Sequence, residues 1–180
     1  MLRRLAGRAR PAQLVSIVLT LLPLTALTLF ATDRVYRSVS IDEGGQLHVL
    51  PESGKEILPR KTHGQVSFDA PMISPDSRTI GWLAMYPYPA PPDADYHAAP
   101  IPGGLVIYRA GRVIHTFTTQ QSFWDWQFRD GGKRVAYSTG PTHGGAAECV
   151  LRDVDSGREV AKWSVTSDGE PPPWAQNLRL

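Results

Sequence analysis

The chain has 180 residues, of which 42% are hydrophobic and 20% charged, and its formal net charge is +2. This composition is typical of a globular protein and excludes a disordered chain, and the length allows one ordinary domain. Sixteen glycines and sixteen prolines are spread along the sequence, so short elements joined by turns are expected rather than long helices. The first expectation is therefore an all-β fold.

The N-terminus differs in composition from the rest of the chain. Residues 1–12 contain four arginines and no acidic residue, and residues 13–31 contain no charge. A basic segment followed by such an apolar run predicts a hydrophobic helix that is a signal-anchor or a cleaved signal peptide. Only Ala31 offers a small residue for cleavage, which favours the anchor. The arginines predict that residues 1–12 lie in the cytoplasm and that everything after Thr32 lies outside.

The exported part has a different charge from the whole chain. Without the four N-terminal arginines it holds 15 basic and 17 acidic residues, a net charge of about −2. Nucleic-acid binders show concentrated basic surfaces, so nucleic acid is not an expected partner. The expected location is the cell envelope. The protein is either anchored in the inner membrane through residues 13–31, with its C-terminal domain periplasmic or extracellular, or secreted if the leader is cleaved.

A hairpin pattern occurs three times after a polar connector at residues 32–43. Each copy runs Gly-Gly, strand, turn with glycine, cation, strand, and the turn glycines are Gly54, Gly111 and Gly157. Glycine supplies the positive φ that a tight reversal needs, and the flanking residues alternate between apolar and polar. Each copy is predicted to be a β-hairpin.

A second pattern occurs twice, at residues 73–82 and 128–137, with starts 55 residues apart. Both copies place a polar turn containing aspartate, Asp76 or Asp130, between two apolar segments, which predicts strand, tight turn and strand. Together the two patterns define complete units at about 62–118 and 119–166, with the back half of an earlier unit at 35–60. Residues 171–180 are predicted to be a Pro-rich tail or a closing strand.

These motifs support a comparison with a known family. The segment Ser74-Pro75-Asp76-Ser77-Arg78-Thr79-Ile80-Gly81-Trp82 resembles the Ser-Pro-Asp-Gly-Lys-Arg-Ile-Ala-Phe core of the TolB-like, WD-like β-propeller repeats of exported bacterial proteins. Residues 130–137 are similar, and residues 153–159 resemble the outer turn of the same repeats. The resemblance covers about residues 44–166, and it implies a scaffold role without naming a partner.

The resemblance implies a β-propeller-like domain at residues 44–170. The turn glycines lie 57 and 46 residues apart, close to the length of one four-stranded blade once the Pro-rich insertion at 86–102 is allowed for. A closed propeller needs four to eight blades, and residues 35–180 have room for about three. The predicted fold is thus all-β, an incomplete β-propeller-like array of two to three four-stranded antiparallel sheets after the N-terminal hydrophobic helix. Self-association or another propeller protein is expected to complete it.

The sequence gives little indication of catalysis. It contains no Gly-x-Ser-x-Gly elbow and no Gly-rich phosphate loop, and the five histidines lack metal-ligand spacing, so no catalytic residue, cofactor or metal site is predicted. Paired carboxylates could in principle hydrolyse glycosides. The four candidates lie at repeat-equivalent turns, where aspartate is expected to cap backbone N–H groups instead. They are Asp76, Asp130, Asp153 and Asp155.

Aromatic side chains are the better candidates for a binding surface, because they offer large rigid contact areas. Trp124 and Trp126 alternate on a predicted strand and are expected to share a face. Trp82, Trp126 and Trp163 are expected to lie in the core between sheets, and the single Cys149 is expected to be a buried structural thiol. The predicted partner-binding residues lie in the Pro-rich insertion, on the Trp124 strand and in the loop at 138–145. They are Tyr86, Tyr88, Tyr96, Trp124 and His143.

The leading hypothesis is a non-catalytic, exported or membrane-anchored module that binds a protein, with a glycan as the alternative ligand. A second hypothesis is an accessory subunit or relative of a peptidase-type hydrolase system that has no catalytic residues of its own. A third is an extracytoplasmic sensor whose anchor reports to the cytoplasm.

Overall fold

Ten β-strands form three antiparallel sheets in the part of the chain that the computed structural model describes, residues 34–88, 99–142, 145–165 and 169–180. The predicted hydrophobic helix at 13–31 lies outside these residues. Sheet A contains β1 Tyr36–Ile41 and β2 Leu47–Pro51. Sheet B contains β3 Ser67–Ile73, β4 Thr79–Tyr86, β5 Ile101–Arg109 and β6 Arg112–Thr118. Sheet C contains β7 Ser122–Arg129, β8 Arg134–Gly140, β9 Glu148–Asp153 and β10 Glu159–Ser164.

The strands of sheets B and C follow one another in chain order, β3-β4-β5-β6 and β7-β8-β9-β10, and none of the sheets closes on itself. The prediction of an all-β, antiparallel fold is confirmed. Each four-stranded sheet lies within one of the two repeated units predicted from the sequence. The third sheet has two strands rather than four.

Local turn chemistry explains the hairpin between β3 and β4. Asp76 Oδ1 accepts hydrogen bonds from Ser74 Oγ at 2.5 Å and from the N–H of Arg78 at 3.1 Å, while Ser74 Oγ accepts from the N–H of Thr79 at 3.0 Å. Ser77 takes the left-handed conformation with φ of 59°. The predicted capping role of Asp76 is confirmed.

The other three aspartates divide into two kinds. Asp153 Oδ1 accepts from the N–H of Ser156 at 2.8 Å, so it caps its turn as predicted. Asp130 opens a short 3-10 turn, and its carboxylate is 3.1 Å from Arg134 Nη1. Asp155 pairs with Arg109 of sheet B. The capping prediction is wrong for the carboxylates of Asp130 and Asp155, because a nearby guanidinium competes successfully with the turn's N–H groups.

The first predicted hairpin, around Gly54, is reduced to a single bridge between Val49 and Ile57. Strand β2 pairs instead with β1, which lies inside the predicted connector. Val39 and Ile41 of β1 pack with β2 on the core side. The apolar face of β1 thus makes it a better partner for β2 than the segment after Gly54. That segment ends at Pro59, which has no backbone N–H to donate.

The sheets and the C-terminal segment are packed in layers. Between sheets A and B the core contains Tyr36, Leu47, Trp82 and Tyr108 among others. Between sheets B and C it contains Leu105, Ile107, Phe123, Trp126 and Tyr137 among others. Trp82 and Trp126 are each 1% exposed, as predicted for inter-sheet core. The layers therefore meet through apolar side chains on both faces of sheet B.

The outer face of sheet C is covered by residues 174–178. Ala175 and Leu178 are buried against Cys149 and Leu151. Trp163 packs at the margin of this cluster, so the prediction that it lies in the core between sheets is wrong. Cys149 is fully buried as predicted, and burial raises the pKa of its thiol to about 11. Residues 171–180 form turns that pack on the sheet, and they contain no strand.

A small polar cluster of Asp42, His48 and Glu56 lies on sheet A and the loops next to it. His48 Nε2 lies 3.0 Å from Asp42 Oδ2, and His48 Nδ1 lies 2.9 Å from Glu56 Oε1. Asp42 also accepts from the N–H of Gln46 at 2.8 Å and so caps the turn between β1 and β2. The hydrogen bond to Asp42 and then that to Glu56 raise the pKa of His48 above its ordinary value. The N–H of Gln46 and then His48 lower the pKa of Asp42.

We expect the His48 cluster to stabilise the fold in mildly acidic solution and to weaken as the pH rises. A histidine with a raised folded-state pKa contributes fully below its unfolded value and loses that contribution as the pH passes its folded value. Asp42 stays charged until the pH falls through its own lowered pKa. The free energy of unfolding by urea should therefore fall more for His48→Gln at about pH 5.5 than at about pH 9. His63→Gln, at an exposed turn, is the control, and an equal loss at both pH values would contradict the prediction.

Candidate functional site

A cleft of about 490 Å³ opens where the ends of β4, β5, β7 and β8 meet. Strand β4 ends and β5 begins at this edge of sheet B, and β7 begins and β8 ends at this edge of sheet C. The cleft is lined by apolar residues from the two sheets, by Asp69 of β3, by Thr142 and by Arg179 of the C-terminal segment. Its size falls within the range that binding pockets usually show, about 300–1,000 Å³.

The floor of the cleft is formed by residues that belong to or pack against the core between sheets B and C. Leu83 and Phe123 are 4% and 2% exposed, and Met85 is half-buried. All three belong to or pack against the inter-sheet cluster, so their positions are fixed by the fold. The floor is therefore apolar and rigid.

Trp124 forms one wall, and a β-bulge explains its position. The pairing of β7 with β8 shifts between Phe123 and Asp125, which leaves Trp124 outside the ladder. Its ring lies on Gly140, where an added Cβ would be 2.3 Å from Trp124 Cζ2. The expectation that Trp124 and Trp126 share a face is wrong: Trp126 is core, and Trp124 borders the cleft.

A second bulge shapes the opposite strand, β3. Its pairing with β4 shifts between Asp69 and Met72, and Ala70 takes φ of 44°, in the left-handed region. The Ala70 carbonyl accepts a hydrogen bond from Trp126 Nε1 at 3.1 Å, and Asp69 Oδ1 accepts one from the Ala70 N–H at 2.7 Å. The bulge thus ties sheet B to sheet C and holds Asp69 at the edge of the cleft.

The C-terminal segment is fastened mainly through its backbone. Its carbonyl oxygens accept hydrogen bonds from side chains of β7 and β8: Arg129 Nε to Trp174 at 2.9 Å, Gln127 Nε2 to Asn177 at 2.9 Å and Ser138 Oγ to Arg179 at 2.6 Å. The N–H of Arg179 donates to Asp125 Oδ2 at 3.1 Å. These bonds place the Arg179 side chain at the cleft.

The structure brings only part of the predicted binding set to the cleft. Trp124 lines it. Tyr86 turns to the other face of β4, where its ring packs on Gly103 and its hydroxyl hydrogen-bonds with Thr62 Oγ1 at 3.1 Å. Tyr88, two residues beyond β4, is half-buried. Tyr96 and His143 lie outside the described residues.

Sequence reasoning missed the other cleft residues. In the sequence, nothing distinguishes Asp69 from other polar residues on strands. Arg179 lies far from Asp69 in the sequence, so no local pattern links the two. Gly140 is the last residue of β8, and no local sequence signal indicates that a tryptophan ring packs on it.

Comparison with known protein families finds none that matches the chain, and no curated protein is significantly similar to it. Residues 34–88, 99–142, 145–165 and 169–180 contain no helix that is long and apolar enough to cross a membrane. Within the same ranges no three histidine, cysteine, aspartate or glutamate side chains are grouped so that they could hold a metal ion. Fold and site thus define an antiparallel β protein with a cleft, lined by apolar and charged residues, at one end of two stacked sheets.

The neighbouring tryptophans of β7 should differ sharply in their effect on stability. Trp126→Ala removes a fully buried ring and leaves the Ala70 carbonyl without its donor, so we expect a loss of about 3–5 kcal/mol. Trp124→Ala removes a half-buried ring at the cleft and should cost roughly 1 kcal/mol. Urea denaturation followed by circular dichroism measures both values. Equal losses would show that Trp124 is a core residue and not a wall of an open site.

Proposed function

We propose that this chain is a non-catalytic binding or scaffold module of the bacterial cell envelope, built as an incomplete β-propeller-like array. It is anchored through residues 13–31, or is secreted if that segment is cleaved. The recurrence of one four-strand order in sheets B and C supports the propeller-like interpretation, together with the resemblance of residues 44–166 to TolB-like repeats. The basic N-terminus and the slightly acidic remainder support export.

The observation that carries the binding role is the cleft with Trp124 on its wall. Large rigid aromatic rings beside apolar pockets are typical of protein-binding sites. The ring of Trp124 packs on Gly140 and is only half-buried, so it is available to a ligand at little cost in side-chain entropy. A protein partner that inserts an apolar group beside Trp124 fits this arrangement.

Site-specific cross-linking tests this role in the bacterium that produces the chain. A photoreactive benzoylphenylalanine replaces Thr142, an exposed residue of the cleft, in the full-length protein. We expect a discrete cross-linked protein, which should disappear when Trp124→Ala is added. The control places the same photoreactive residue at Thr116, which is exposed on β6, and should give no such product. Equal products at both positions, or a product that persists without Trp124, would contradict the proposal.

The two outer faces of the stack, on sheets A and C, indicate whether the protein associates with itself. On sheet A, the residues facing away from the core are Ser38, Ser40, His48 and Leu50, a mostly polar surface. On sheet C, the outer face is covered by the C-terminal segment. An open array normally leaves apolar faces that drive assembly. In the described part of the chain, the outer face of sheet A is mostly polar and that of sheet C is covered. The partner is therefore proposed to be another protein and not a second copy.

We therefore expect residues 32–180 to be monomeric. Light scattering coupled to gel filtration should give the molar mass of one chain at micromolar concentrations. Leu178→Asp, which places a charge in the cover of sheet C, should raise the mass or cause aggregation, while Asn177→Asp on the exposed side should leave it unchanged. A discrete dimer or trimer of the unmodified protein would contradict the prediction and show that the chain associates with itself.

A further inference from the structure

We propose that the cleft accepts one large apolar side chain from an extended segment of the protein partner, and that this segment carries a basic and an acidic residue as neighbours of that side chain. The inference rests on the proposed binding function and specifies its ligand. Three features of the described residues carry it: the chemistry of the floor, the charges at the rim and the state of the strand edges.

The floor selects an apolar group. Among the apolar lining residues, Met85 and Pro102 are half-buried and can contact a ligand, whereas Leu83 and Phe123 are almost wholly buried. A hydroxyl-rich sugar ring placed there would lose hydrogen bonds to water without replacing them. A phenylalanine, leucine or tryptophan side chain would gain by leaving water. The floor therefore favours a peptide over a glycan.

The rim presents one charge of each sign. Asp69 Oδ1 accepts the N–H of Ala70, and within the described part of the chain its carboxylate makes no ion pair. Arg179 is fixed by its N–H and carbonyl, and no described residue forms a hydrogen bond or ion pair with its guanidinium. The two groups lie on different elements, β3 and the C-terminal segment, and both border the cleft. They match a ligand with a cation and an anion beside its apolar group.

The strand edges do not invite pairing by a partner's backbone. The free edge of β3 is distorted by the left-handed Ala70 and by Pro71, which has no N–H to donate. The free edge of β7 is bulged at Trp124, and its Gln127 and Arg129 side chains bind the C-terminal segment. Strand addition is therefore disfavoured at both edges. Recognition is left to side chains, with Trp124 as the fixed surface against which the apolar group packs.

The test uses the full-length chain and short blocked peptides on a Gly-Ser frame. The central residue is Phe or Ser, and its neighbours are Lys and Glu in either order, two Lys, two Glu or two Ser. Binding is followed by the indole N–H signals of the protein in NMR titrations. We expect the Phe peptide with both charges, in one of the two orders, to bind about fivefold tighter than the Ser-flanked Phe peptide. Peptides with central Ser should not saturate.

Charge reversal at the rim tests the assignment of each neighbour. Asp69→Lys should shift the preference to the peptide with two Glu, and Arg179→Glu should shift it to the peptide with two Lys. Glu52→Lys and Arg60→Glu, exposed residues away from the cleft, are the matched controls and should keep the original preference. All four substitutions are at exposed positions, so the variants are expected to fold. An unchanged circular dichroism spectrum checks this.

The outcomes separate the inference from the proposed function. If the Phe peptides bind without regard to charge, or if no peptide binds while cross-linking from Thr142 still captures a protein, the inference is wrong and the binding function stands. If chitohexaose shifts the indole signals and the peptides do not, the ligand is a glycan and the inference is wrong. Absence of both peptide binding and cross-linking would overturn the inference and the proposed function together.

Discussion

The contact between Trp126 and Gly81 sets the geometry on which the rest of this fold depends. A Cβ at Gly81 would lie 2.5 Å from Trp126 Cη2, so the indole occupies the space that any other residue would fill. A buried tryptophan removes about 150–250 Å² from water, worth roughly 4–6 kcal/mol. The same ring donates to the Ala70 carbonyl. One side chain therefore fixes the spacing of sheets B and C and secures the bulge that carries Asp69.

The outer faces of the stack are shielded in two different ways. Sheet A presents mostly polar side chains on its outer surface, and sheet C is covered by a segment of turns that buries Ala175 and Leu178. Backbone N–H and C=O groups of that segment find partners in side chains such as Arg129 and Ser138, as buried main chain requires.

Much of the fold could be predicted from the sequence because its signals are local. Turn residues such as Asp76 and Gly157 act within a few positions of the chain, and alternation marks the strands. The ion pair of Asp155 with Arg109 and the cover of sheet C depend on residues far apart in the sequence, and no local signal predicts them. The cleft is the extreme case. Asp69, Trp124 and Arg179 come together through two bulges and a tail, and only Trp124 could be selected beforehand.

The manner in which the C-terminal segment is held has an evolutionary consequence. Since its hydrogen bonds are made through carbonyl groups and one N–H, they do not specify which side chains occupy positions 176, 177 and 179. Ala175 and Leu178 are constrained by burial, and Trp174 packs against the same cluster. Substitution at position 179 can therefore change the charge of the rim without disturbing the sheets beneath. Related chains could diversify their ligand preference at this position while retaining one scaffold.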